Sequence, residues 1–200
     1  MRFLFDSLGG EEQRLALVRM YKTHRYGDLP SELREHAARA STQRMDPGTR
    51  CLVLLASAGV EDAWNDPRRS RGHRVIPLAS PEGVARWPMI LALIRQLGHD
   101  VATLTGPAPK ILVDGDQRSV NVFHVEDAAQ SDDVPEKDFV RRYGISSLLG
   151  FGGVVPPGEF FATILFSRTP ITRAVAELFA PIALSIKLQL LPFSSDGVLA

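Results

Sequence analysis

Residues 143–170 read YGISSLLGFGGVVPPGEFFATILFSRTP, and this stretch decides the fold. Two apolar runs, Ile145 to Val155 and Phe160 to Phe166, flank Pro156-Pro157-Gly158. A proline/glycine break between runs rich in β-branched and aromatic residues predicts a strand, a turn and a returning strand, that is, a β-hairpin. Neither run alternates between apolar and polar residues, so both faces are expected to be covered, as in the middle of a sheet that carries helices. Gly150-Phe151-Gly152-Gly153 is followed by more strand and not by a helix N-terminus, so it is read as a place of bulging or close packing and not as a phosphate cradle.

Outward from the hairpin, the chain has the composition of one globular domain with extensions: 200 residues, 44% apolar and 8% aromatic. Lys+Arg and Asp+Glu balance at 23 each, which gives no global field for nucleic acid or an anionic membrane. The single cysteine, Cys51, excludes an internal disulfide and a cysteine-rich metal site and fits a reducing cytosol. No signal peptide or membrane span is visible, and the chain is expected to be cytoplasmic. GxSxG, GxxxxGK[ST] and HExxH are all absent, so hydrolase, nucleotide-hydrolase and zinc-protease readings have no motif behind them.

In chain order, Leu15, Val18 and Tyr21, with Leu17, Met20 and His24 beside them, predict a helix from Glu11 to Tyr26 that Gly27 ends. A second helix is predicted from Pro30 to Ala40, making residues 1–49 an N-terminal helical extension of a domain at 50–193, with 194–200 as a tail. Cys51 to Ala58 and Arg74 to Leu78 read as strands. Ser80-Pro81-Glu82 opens a helix that runs to Leu97 and that Pro88 must kink or split. Ile111 to Val113 is a possible edge strand by composition, Val120 to Val125 a strand, and Pro135 to Tyr143 a short helix stopped by Gly144. After the hairpin, Thr172 caps a helix to about Leu191 with a kink at Pro181. Its apolar residues form two stripes, and the second, with Leu184, Leu188 and Leu191, needs a partner. The expected homodimer seam includes Ile186, Leu188 and Leu191.

The strand Tyr143-Gly-Ile-Ser-Ser-Leu-Leu-Gly, the turn with its acidic Glu159, the returning strand and the long last helix resemble the C-terminal half of a GAF domain. The element order matches over roughly Arg50 to Phe193, and WNDPRRSRGHRVIPL with SPEGVARWPMI is similar to GAF-type sensor regions of bacterial histidine kinases and related signalling proteins. The resemblance implies an α/β (α+β) domain with a central antiparallel sheet, helices behind it, a ligand pocket on its other face, and output through terminal helices packed together. It also implies a non-catalytic sensor of a small molecule or cellular state, in a chain that is either a fragment of a longer protein or a free-standing regulator. Two alternatives stand beside it: a redox enzyme on the same fold using Cys51, as in the branch that reduces free methionine sulfoxide, and a dimerisation module without ligand.

The long loop between the first two predicted strands, GVEDAWNDPRRSRGHR, is the polar candidate, because an indole and guanidinium forks can stack on a ring and grip an anion. Its length suits a lid folded over the sheet, and its arginines favour an anionic or aromatic ligand. The expected ligand-binding set is Trp64, Arg71, His73, Arg74, Phe123, His124 and Tyr143. The cofactor is left unknown; His124, with Glu126 on the same side of its strand, is a candidate ligand for haem or a metal, yet two ligands do not make a site. No metal residues are assigned.

Overall fold

The hairpin lies in the middle of a sheet flanked by helices on both faces. The computed structural model describes residues 1–10, 12–70, 72–105, 121–156 and 158–190. The six strands are β1 (Leu15–Arg25), β2 (Arg50–Gly59), β3 (Val75–Leu78), β4 (Val122–Val125), β5 (Ser147–Val155) and β6 (Glu159–Ser167). Their order is β3-β2-β1-β6-β5-β4, with every neighbouring pair antiparallel. The fold class is therefore a mixed α/β domain around a central antiparallel sheet.

One face carries α3 (Pro81–Ala85), α4 (Pro88–Gln96), α5 (Val101–Leu104) and α6 (Lys137–Tyr143). Leu52, Leu54, Phe123, Phe160, Ile164 and Phe166 pack beneath them. The opposite face is divided. α2 (Ser31–Ala40) covers Cys51, Val53 and Val75, while α1 (Arg2–Gly9), α7 (Arg173–Glu177) and α8 (Ala180–Leu190) cover Leu15, Val18, Leu149, Phe151 and Leu165. Burial on both sides explains why the hairpin strands carry no polar alternation.

Local signals work where they were expected to. Ser80 Oγ accepts from Gly83 N–H at 3.1 Å, and the helix it opens breaks at Arg86-Trp87 so that Pro88 starts α4 in a first turn, where a missing N–H is harmless. Gly144 closes α6 in the left-handed conformation, with φ 65°. Thr172 caps α7, but the last helical segment breaks at Leu178-Phe179, and Pro181 falls in the first turn of α8 without kinking it. The predicted edge strand at 111–113 and the tail 194–200 lie outside the described residues.

The N-terminal reading is corrected. Leu15–Arg25 is not a helix but the strand between β2 and β6, so residues 1–49 are not a helical extension: the sheet itself begins at Leu15. Leu15, Ala16, Leu17, Val18 and Tyr21 are all buried because both faces of β1 are covered. A strand buried on both sides shows no period of two, and its apolar residues satisfy a helical stripe equally well.

Just past the middle of β1, on the α2 face, Lys22 is 2% exposed and pairs with Glu159 at the start of β6. His24 lies two residues on, and its Nε2 is buried without a hydrogen-bond partner among the described residues. Burial first, and the Lys22 cation second, lower its pKa from 6.5 to about 4, against a small opposing effect of Asp28. The unfolded chain therefore binds the proton more readily than the folded one. The stability that neutral His24 supports is complete above pH 6.5 and drains away as pH falls toward 4. The ring is partly exposed, so solvent screening limits the loss to about 1–2 kcal/mol. Urea midpoints at pH 7.5 and 5 should differ accordingly, and His24→Gln should flatten the difference; His73 and His99, also lowered chiefly by burial, keep a residual slope.

Candidate functional site

A cavity of about 190 Å³ opens on the α3–α6 face of the sheet. Its floor is Leu17, Arg19 and Tyr21 of β1 with Ile164 and Phe166 of β6, and its roof is Trp64, Ile90 of α4 and Phe139 of α6. His73 and Glu136 stand at its edge.

The indole wall is held from several sides. The chain leaves β2 at Gly59 and enters a 3-10 turn, Asp62–Asn65. Asn65 clamps that turn, its Oδ1 accepting from Gly59 N–H at 3.0 Å and its Nδ2 donating to Gly59 O at 3.2 Å. A Cβ on residue 59 would lie 2.7 Å from Trp64 Cε3, so only glycine lets the ring settle against the strand. Trp64 then meets Tyr143 edge-on at 4.6 Å between centroids and Phe139 at 5.8 Å. Tyr143 donates its hydroxyl to Glu61 Oε1 at 3.2 Å, tying the end of α6 to the loop.

The polar groups are few and specific. The Arg19 guanidinium donates through Nη2 to Ser70 Oγ at 3.0 Å and, at longer range, through Nη1 to Tyr21 Oη at 3.4 Å and Gly72 O at 3.5 Å. Its Nε is buried without a partner, and among the described residues no carboxylate pairs with it. Burial raises the Tyr21 hydroxyl above its ordinary pKa of 10, with Arg19 pulling the other way, so at neutral pH it keeps its proton. His73 adopts φ 57°, in the left-handed region that costs a side-chain-bearing residue. Its ring meets Trp87 edge-on at 5.5 Å, and its Nε2 lies 3.7 Å from Glu136 Oε1. Its pKa is lowered chiefly by burial, with Glu136 opposing and Arg19 reinforcing, which favours a neutral imidazole.

Of the residues expected at the ligand site, Trp64 and His73 line the cavity, and Tyr143 stands behind Trp64 as its support. Phe123 shares the same face but lies under Leu93 and against Gly150, away from the cavity wall. His124 is corrected to the opposite face. Phe123 and Val125 point toward α4, so the period of two sends His124 toward α7, where its Nε2 is 2.6 Å from Ile171 O. Arg74 is also corrected: it turns to α2, where Nη1 donates to Glu32 Oε1 at 2.5 Å and lies 3.2 Å from His36 Nε2. Arg71 lies outside the described residues. The lid therefore closes over β1 and β6, not over β4. The cavity's own cation, Arg19, was missed because β1 read as a helix; with a strand there, Leu17, Arg19 and Tyr21 share one face at spacing two.

Cys51 lies under α2, on the side away from the cavity, and burial pushes its thiol up to about 12. Among the described residues no three His, Cys, Asp or Glu side chains gather as a metal site requires, and no helix is long and apolar enough to cross a membrane. No protein-family model, curated protein or solved structure matches the chain.

Proposed function

We propose that the protein is a non-catalytic sensory or regulatory domain of GAF type. It binds a small molecule in the cavity over β1 and β6 and transmits occupancy through its terminal helices, as a cytoplasmic module of a bacterial signal-transduction protein. The observation that carries this reading is the cavity itself: a largely apolar pocket with a few fixed polar groups on one face of an antiparallel sheet whose other face holds both terminal helices. That is the arrangement the GAF resemblance implies. A catalytic alternative through Cys51 is disfavoured, since a buried thiol held protonated is a poor nucleophile and lies across the sheet from the pocket.

Thermal-shift screening against a library of small metabolites tests the reading. Binders should raise the melting temperature and change tryptophan fluorescence in the wild type and lose both effects in Ile164→Trp, which fills the cavity. A library with no binder, or binders indifferent to Ile164→Trp, refutes a ligand-sensing cavity.

Output through the termini rests on α8. Phe179, Ile182 and Ile186 pack on the sheet, whereas Leu184 and Leu188 are 53% and 59% exposed. Ile186 therefore belongs to the internal stripe, Leu191 lies outside the described residues, and a dimer seam would be built from Leu184 and Leu188. The wild type is expected to sediment as a dimer and Leu184→Glu/Leu188→Glu as a monomer, since charge in an apolar seam is strongly unfavourable. A wild type that is monomeric at high micromolar concentration removes the dimer.

A further inference from the structure

We infer that the cavity takes a small monocarboxylate with a compact apolar body, one ring or one short branched chain, whose carboxylate is received by Arg19 and Tyr21. The inference rests on the ligand-binding reading above and supplies its chemistry.

Size comes first. A dry apolar cavity of about 150 Å³ accommodates one benzene ring. The 190 Å³ here can enclose such a ring and one further small group, and cannot enclose a nucleotide or a tetrapyrrole. It also lies below the ~300 Å³ at which pockets for drug-sized molecules begin. Shape agrees with size, because Trp64, Phe139 and Phe166 present three aromatic walls.

Charge comes second. Arg19 is held from three directions by Ser70, Tyr21 and Gly72, so its guanidinium is oriented before any ligand arrives. Of its five N–H groups two remain unused, one on Nη2 and the enclosed Nε. A guanidinium at the wall of a cavity with no carboxylate beside it is left uncompensated, and a carboxylate oxygen is the acceptor that pairs with it best, through a charge-assisted bond. Tyr21 accepts from Arg19 and still has its own proton to donate, so one cation and one hydroxyl donor converge for the two carboxylate oxygens. The other charged group at the cavity is Glu136, whose side chain is 46% exposed at the mouth beside His73. Water screens it there, while Arg19 acts from the enclosed floor. An anion is thus favoured inside, a neutral amide leaves the guanidinium uncompensated, and an amine is repelled.

The test uses the full chain and titrates benzoate, phenylacetate and isovalerate against their three amides and benzylamine, read by calorimetry and tryptophan fluorescence. At least one of the three acids should bind, the matching amide should bind at least ten times more weakly, and benzylamine should not bind. Arg19→Gln should weaken the acid by about ten- to a hundredfold, the usual effect of losing a hydrogen bond to a charged group, and leave the amide where it was. The comparison of acid with amide needs no variant, so a poorly folding Arg19→Gln does not spoil it. Equal binding of acid and amide, or an acid indifferent to Arg19→Gln, overturns the carboxylate assignment. If neutral compounds bind and Ile164→Trp removes them, the cavity remains a ligand site and only its chemistry is wrong. If none of the acids binds, the inference fails; if the metabolite library also yields nothing, the sensing reading fails with it.

Discussion

Glu159→Leu is expected to lower the unfolding free energy by about 3–5 kcal/mol, the range for removing one partner of a buried ion pair. Lys22 is 2% exposed and lies in the middle of β1, with Val53 of β2 on one side and Phe161 of β6 on the other, so an ammonium left there has nowhere to reach water. Arg50, also buried, is a second cation that Glu159 steadies against the burial that lowers its pKa. One carboxylate therefore serves two cations. The double variant Lys22→Met/Glu159→Leu should regain the part of the loss that comes from Lys22, because that ion pair is then replaced by apolar groups of similar volume and only Arg50 is left without the Glu159 charge. Urea unfolding of the four proteins forms the cycle. A single-variant loss below about 1 kcal/mol, the range of solvated surface pairs, would show that water reaches Lys22 after all.

Gly152→Ala should cost about 3 kcal/mol or more, at the upper end for overpacking. Gly152 faces Ala162 in the β5–β6 ladder, and a Cβ built on it would fall 2.2 Å from Phe161 O and 2.9 Å from Ala162 Cα. Both atoms are backbone, so no side chain can rotate away; β5 and β6 must part. Gly83→Ala makes the control, since its added methyl would meet only Ser80 Oγ at 3.5 Å and alanine is the better helix former in α3. Thermal melts should show Gly152→Ala strongly lowered or insoluble and Gly83→Ala unchanged or raised. A Gly152→Ala protein that melts with the wild type would mean that β5 and β6 open at this point without cost.

Much of the architecture can be read locally. The β5–β6 hairpin follows from two apolar runs around Pro156 and Gly158, and Gly158 N–H does donate to Val155 O at 2.7 Å across the turn. Ser80, Pro81, Gly144 and Thr172 mark helix ends by chemistry that acts within a few residues, and those ends are found where they point. Trp64 and His73 stand out because a long polar loop that carries an indole and an imidazole is unusual enough to notice, and both reach the cavity.

What the sequence by itself determined is thus the set of elements whose signals are short in range: turns, caps, the apolar hairpin and the loop with its tryptophan. Only the tertiary structure decided which side of the sheet each residue serves. Leu15–Arg25 became a strand because β2 and β6 supply its hydrogen bonds and two helical layers bury it from both sides, conditions that none of its eleven residues encodes alone. Arg19 entered the cavity, and His124 and Arg74 left it, for the same reason. In a strand one step of register exchanges the two faces, so the roles of these three side chains depend on pairings between residues far apart in the chain.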